Sequence, residues 1–115
     1  LSKEPLIRGA WLKSGAHLDL VGAFTPEMRE SDDAAVGRAS LFCDTRAGAL
    51  KEGGDLVIPL KAGLITEAAI KADLADLARG KHKGRMSEDE VTLFKSVGTA
   101  IEDFAAARLA MQRRR

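Results

Sequence analysis

VTLFKSVGTAIEDFAAA, residues 91–107, reads as a short buried strand that runs into a helix. Val91–Phe94 is a run of β-formers, while Val97, Ile101, Phe104, Ala105 and Leu109 recur on one helical face. Ser96 is placed to cap that helix, which the spacing predicts over Ser96–Arg113. Gly98, just inside it, costs about 1 kcal/mol against alanine and so signals a close approach of backbone to something else. A helix N-terminus here would also offer free N–H groups to an anion or to the polar edge of a cofactor. Ser87 and Glu90 match a capping box that competes with the strand, but Val91, Thr92 and Phe94 favour the strand.

Working outward, Leu18, Leu20, Val21 and Ala23 form an apolar run between Gly15 and Pro26, read as a strand over His17–Gly22. Thr25-Pro26 is a helix-start signal, and Ser31-Asp32-Asp33 is a second one, leading a short helix to about Arg38. Ser40–Cys43 is another apolar strand, ending at Asp44. Gly48–Lys51 is helical and Gly53-Gly54 stops it. Leu56, Val57 and Ile58 look strand-like, but Pro59 argues against a central strand, so Asp55–Pro59 is expected as a short helical turn or loop. Thr66 caps a helix on which Ile70, Leu74, Leu77 and Ala78 fall at i, i+4, i+7 and i+8, with Gly80 terminating it. Arg113, Arg114 and Arg115 suit the negative end of the last helix. This alternation predicts an α/β unit with about three parallel strands and flanking helices. Ligands in such sheets bind beyond the carboxyl ends of the strands. The loops on that edge are Gly22–Glu30, Asp44–Ala47 and Lys95–Gly98.

Composition narrows the function classes. The chain has 115 residues, enough for one small domain. Lys+Arg 18 against Asp+Glu 17 gives no electrostatic case for nucleic acid or membrane as partner. Four Phe, one Trp and no Tyr make a base-stacking platform improbable. The lone Cys43 excludes a disulfide framework within the chain and fits a reducing, cytoplasmic location. Within an apolar strand it reads as inert core rather than nucleophile. His17 and His82 have no metal-ligand spacing with Cys43, so no metal is expected. The basic run GKHKGR at Gly80–Arg85 reads as a solvated loop.

Each candidate site residue has a plain structural reading beside the functional one. Gly22 could simply permit a tight turn after Val21, and Ser96 and Gly98 could be an N-cap and a packing glycine. Glu52 could be a solvated acid at a helix end, and Glu27, Arg29 and Glu30 a charged surface loop. No catalytic residue is assigned from the pattern alone.

Together, HLDLVGAFTPEMRE at 17–30 and the stretch at 91–107 resemble the C-terminal part of the ornithine cyclodeaminase/mu-crystallin family. The resemblance implies the C-terminal half of a Rossmann-like NAD(P)-binding domain. Residues 1–95 would belong to that partial domain and 96–115 to a C-terminal helix. No complete Gly-x-Gly-x-x-Gly is present. The phosphate cradle is therefore expected upstream of Leu1, and the fragment alone is expected to bind no cofactor. By resemblance, Val21 and Gly22 lie at the nicotinamide, and Ser96, Val97 and Gly98 beside its carboxamide. Arg29 and Glu30 pin the loop, and Glu52 is a substrate-side acid. Family cyclodeaminases carry an aspartate where this chain has Phe24. That departure favours the branch reducing Δ1-pyrroline-2-carboxylate or a related cyclic imine. Ornithine cyclodeamination, or a non-catalytic fragment that only self-associates, are the alternatives. An imino or amino acid ligand and a homo-oligomer are the partners implied.

Overall fold

The computed structural model describes residues 1–113. Arg114 and Arg115 of the basic C-terminus lie outside the described residues. The strands are β1 (His17–Leu20), β2 (Ser40–Cys43), β3 (Ile70–Asp73) and β4 (Thr92–Lys95). The helices are α1 (Asp33–Arg38), α2 (Arg46–Glu52), α3 (Gly54–Lys61), α4 (Leu74–Ala78) and α5 (Ala100–Gln112). All four strands run parallel in the order β1-β4-β2-β3. The architecture is the expected parallel α/β unit, with one strand more than the sequence pattern suggested.

The extra strand is β3. Ile70, Leu74, Leu77 and Ala78 fit a helical spacing, yet Ile70 and Ala72 are buried on alternate positions of a strand paired to β2. The helix begins only at Leu74, where the Asp73 carboxylate accepts from the Asp76 N–H at 2.9 Å. Thr66 precedes a 3-10 turn, Glu67–Ala69, and makes no capping bond. Sheet pairing outweighs local helix propensity here, since a half-buried pleated surface rewards alternation.

Other boundaries shift for similar reasons. Thr25-Pro26 starts no helix; the Met28 N–H closes a turn on the Thr25 carbonyl instead. Asp32 caps α1 through the Ala35 N–H, and Thr45 caps α2 through the Gly48 N–H. Gly53-Gly54 ends α2 but also opens α3, which runs through Pro59 to Lys61, so 55–59 is neither strand nor loop. At Gly54 a Cβ would stand 1.8 Å from the Met28 carbonyl oxygen, so glycine is what lets α3 lie against the loop after β1. β1 ends at Leu20 rather than Gly22, and β4 lies one residue later than Val91–Phe94.

One face of the sheet carries the core. Leu20, Leu41, Cys43, Ile70 and Leu93 cluster there with Val36, Ala49 and Leu56 from α1, α2 and α3. The other face carries Leu77 and the loop around His82–Arg85, with the His82 ring edge-on to Phe42. It leaves a depression of about 320 Å³ lined by His17, Phe42, Thr92 and Phe94. The final helix begins at Ala100 behind Thr99, not at Ser96, and Thr99 makes no side-chain cap. Every residue of α5 is exposed, so the apolar face of Ile101, Phe104 and Leu109 is unpacked. Val97 instead packs before the helix, against Gly48 and Gly53. Among the described residues no helix is long and apolar enough to cross a membrane.

Candidate functional site

The carboxyl ends of β1, β2 and β4 meet at one edge. β4 is central there: Lys95 pairs with Leu20 on one side and with Cys43 on the other. The Ser96 N–H donates to the Leu20 carbonyl at 2.9 Å, and the Asp44 N–H donates to the Lys95 carbonyl at 3.2 Å. These bonds set Val21, Asp44 and Ser96 at adjacent strand ends.

Asp44 organises the loop after β4. Its Oδ2 accepts from the Ser96 hydroxyl at 3.0 Å and from the Val97 and Gly98 N–H groups at 2.8 Å each. Its Oδ1 accepts from the Thr45 N–H at 2.7 Å. Burial works to raise the Asp44 carboxyl, but these hydrogen bonds outweigh it and hold the group below its ordinary range. Asp44 is not among the site residues that the sequence pattern singles out. The available signal was an aspartate closing an apolar strand at the ligand-binding edge. The same geometry revises the anion-site idea for Val97 and Gly98: their N–H groups are spent on Asp44 rather than left free at a helix end. By contrast, burial pushes the neighbouring Cys43 thiol up to about 12, with the Asp44 charge adding to it, which fits an inert core thiol.

The loop after β1 is held by Glu30. Its Oε2 accepts from the Gly22 N–H at 2.8 Å and the Ala23 N–H at 3.2 Å. A Cβ on Gly22 would stand 2.5 Å from Glu30 Oε1, so a larger residue there would displace the Glu30 carboxylate. Arg29 Nε donates to the Ser31 carbonyl at 2.8 Å and its guanidinium pairs with Asp33 at 2.7 Å. Arg29 and Glu30 thus do pin the loop.

Beneath Glu30 lies a buried charge cluster that the sequence reading also passed over. Lys95 and Asp55 are both fully buried, with Nζ 3.4 Å from Asp55 Oδ2 and 3.7 Å from Glu30 Oε2. Asp55 Oδ1 accepts from the Glu30 N–H, the Ser31 N–H and the Ser31 hydroxyl at 2.8–2.9 Å. The signal available was a lysine inside the apolar run VTLFKS and an aspartate inside GGDLVIP.

At this edge Ser96 could hold the N–H side of a cofactor amide. Ser96 Oγ gives its proton to Asp44 and keeps lone pairs for an incoming N–H donor. Gly98 adopts φ +86, and the space where its Cβ would stand is open. Val21, one residue past the Leu20 carbonyl that accepts from the Ser96 N–H, is 63% exposed. Phe24, on the same loop, is also exposed and offers no proton-transfer group. Glu52 ends α2 with its side chain in solvent. Among the described residues no group of His, Cys, Asp and Glu side chains could hold a metal.

The chain is 50% identical over 114 residues to an uncharacterized protein of Schizosaccharomyces pombe, spanning 96% of this chain and 34% of that protein. It is 45% identical over 107 residues to the Delta(1)-pyrroline-2-carboxylate reductase of Paracoccus denitrificans, spanning 93% of this chain and 34% of the relative. In three dimensions it resembles the Thermococcus litoralis Delta(1)-pyrroline-2-carboxylate reductase solved with NADH and L-proline. There the TM-score is 0.92 at 43% identity, over 96% of this chain and 34% of that one. The chain therefore spans about a third of the length of the relatives it matches. The sequence model of the ornithine cyclodeaminase/mu-crystallin family matches residues 1–115 from end to end, and the chain belongs to that family.

Proposed function

We propose that these residues form the nicotinamide side of an NAD(P)-dependent reductase acting on a cyclic imino acid of the Δ1-pyrroline-2-carboxylate type. The observation that carries this reading is the strand-end edge, where Asp44 turns Ser96 Oγ into a hydrogen-bond acceptor and the Ser96 N–H binds the Leu20 carbonyl, one residue before the exposed Val21. The names of the reductases it resembles support the substrate class. Bound at this edge, NAD(P)H supplies a hydride. The chain's own residues orient the carboxamide through Ser96 and keep the Val21–Gly22 and Ser96–Gly98 loops fixed. Reduction of a preformed C=N bond consumes one hydride and one proton. It needs no carboxylate at Phe24, and the proton comes from outside this loop.

The pyrophosphate cradle is expected outside these 115 residues. Since such a cradle supplies much of the charge complementarity for a dinucleotide, the isolated chain binds no NAD(P)H in this reading. The parent works as a homo-oligomer, and the lone buried Cys43 suits a cytoplasmic setting. The test is steady-state turnover of the full-length protein. NAD(P)H oxidation with Δ1-pyrroline-2-carboxylate should be fast, and ammonia release from ornithine slow or absent. Robust ornithine-dependent ammonia release would overturn the reading of Phe24. Phe24→Asp alone should not create that activity, since a proton-transfer group must be held to roughly 0.5 Å.

A further inference from the structure

We propose that Lys95 is a positioning residue: through Glu30 it holds the Val21–Gly22 backbone where the nicotinamide lies. The assignment rests on the cofactor reading above but adds a device that reading does not require. Lys95 ends the central strand and is fully buried. Its Nζ makes no directed hydrogen bond, so its role is Coulombic, between Asp55 Oδ2 at 3.4 Å and Glu30 Oε2 at 3.7 Å. That same Glu30 oxygen accepts from the Gly22 and Ala23 N–H groups. The carboxylate is therefore fixed from below by a cation and reads out above on the loop backbone.

The rest of the cluster leaves Glu30 little freedom. Asp55 Oδ1 is occupied by the backbone of residues 30 and 31 and by the Ser31 hydroxyl, which anchors the main chain under the carboxylate. The Lys95 side chain passes Gly53, where an added Cβ would stand 3.3 Å from its Cε. One residue on, the β4 backbone becomes the Ser96–Gly98 loop held by Asp44. A single strand end thus sets both loops of the site. Stability does not explain the choice of lysine, because an apolar side chain of similar volume commonly serves a core at least as well as a buried ion pair. A fixed cation does serve to hold a carboxylate, and a small displacement at a reacting centre is costly.

The test uses Lys95→Met combined with Asp55→Asn in the full-length protein. This pair removes one charge of each sign, and the amide oxygen introduced by Asp55→Asn can still accept from residues 30 and 31. Amide hydrogen exchange of Gly22 and Ala23 is measured without ligand, alongside thermal stability and the KM for NADH and for the imino acid. A role confined to neutralising Asp55 would be satisfied by the double variant, leaving all these values near wild type. The positioning role predicts retained thermal stability, with exchange at Gly22 and Ala23 faster by about tenfold. The NADH KM should rise by about tenfold, while the imino-acid KM changes less than about twofold. Should the double variant not fold, Glu30→Ala, at a half-buried side chain, must produce the same exchange and KM changes. Unaltered exchange and KM in the folded variant, or in Glu30→Ala, overturns the assignment. Because exchange is read without cofactor, a wild type that fails to bind NADH counts against the reductase reading. Unchanged exchange in the variants of a wild type that does bind it counts against Lys95 alone.

Discussion

At the scale of the residue, Asp44 carries more of the site than any side chain the sequence singled out. It accepts four hydrogen bonds, three of them on the loop that follows β4. Asp44→Asn puts an N–H₂ where a carboxylate oxygen accepted, leaving at least one buried donor facing another. The expected loss is about 1–3 kcal/mol, read as a lower urea midpoint of the full-length protein. The pH dependence has a fixed sign. A carboxyl depressed in the folded state stabilises fully above its unfolded value, and that contribution disappears as pH falls through the folded value. The gap between wild type and Asp44→Asn should therefore be full at neutral pH, begin to close below the ordinary 3.8, and vanish at still lower pH. A gap constant to strongly acid pH would contradict the assignment. The local pattern shows Asp44 and Lys95 as charged residues closing apolar runs, without saying what they bind. Their partners are remote in the chain and become neighbours only through strand register, as Asp44 does with Ser96 across 52 residues.

At the scale of the element, the helix caps and short strands were legible in proportion to how local their causes are. β2 stands where the run Ser-Leu-Phe-Cys places it, and α1 starts within the acidic pair that signalled it, with Asp32 as its cap. β3 was hidden because its four residues also satisfy a helical spacing, and only pairing with β2 decides between them. α5 kept its helical pattern but lost its expected start. Asp44 draws the Val97 and Gly98 N–H groups into a loop, and the helix waits until Ala100. The strand-to-helix switch at Asp73 yields a direct prediction. Asp73→Ala removes the acceptor of the Asp76 N–H and should cost about 1 kcal/mol, seen as a reduced urea midpoint with an unchanged slope. No measurable change would mean that α4 does not depend on its cap.

At the scale of the whole molecule, four parallel strands and their helices bring the candidate site to the carboxyl end of the sheet. The α/β class and the strand-end location of the site follow from alternation of apolar runs and turn signals. The family came from two short stretches, at 17–30 and 91–107, and the full-length match to the family model agrees with it. The substrate is the part least written in the chain, which spans about a third of the length of the relatives it matches. The central claim is that this edge presents a nicotinamide to a preformed C=N bond. The most direct test incubates the full-length protein with Δ1-pyrroline-2-carboxylate and NAD(P)H deuterated at the transferable position of nicotinamide C4, then locates the label in the product by mass spectrometry and NMR. The account predicts proline carrying deuterium at Cα. Proline without the label, or label that appears only when ornithine is supplied and ammonia is released, would contradict it.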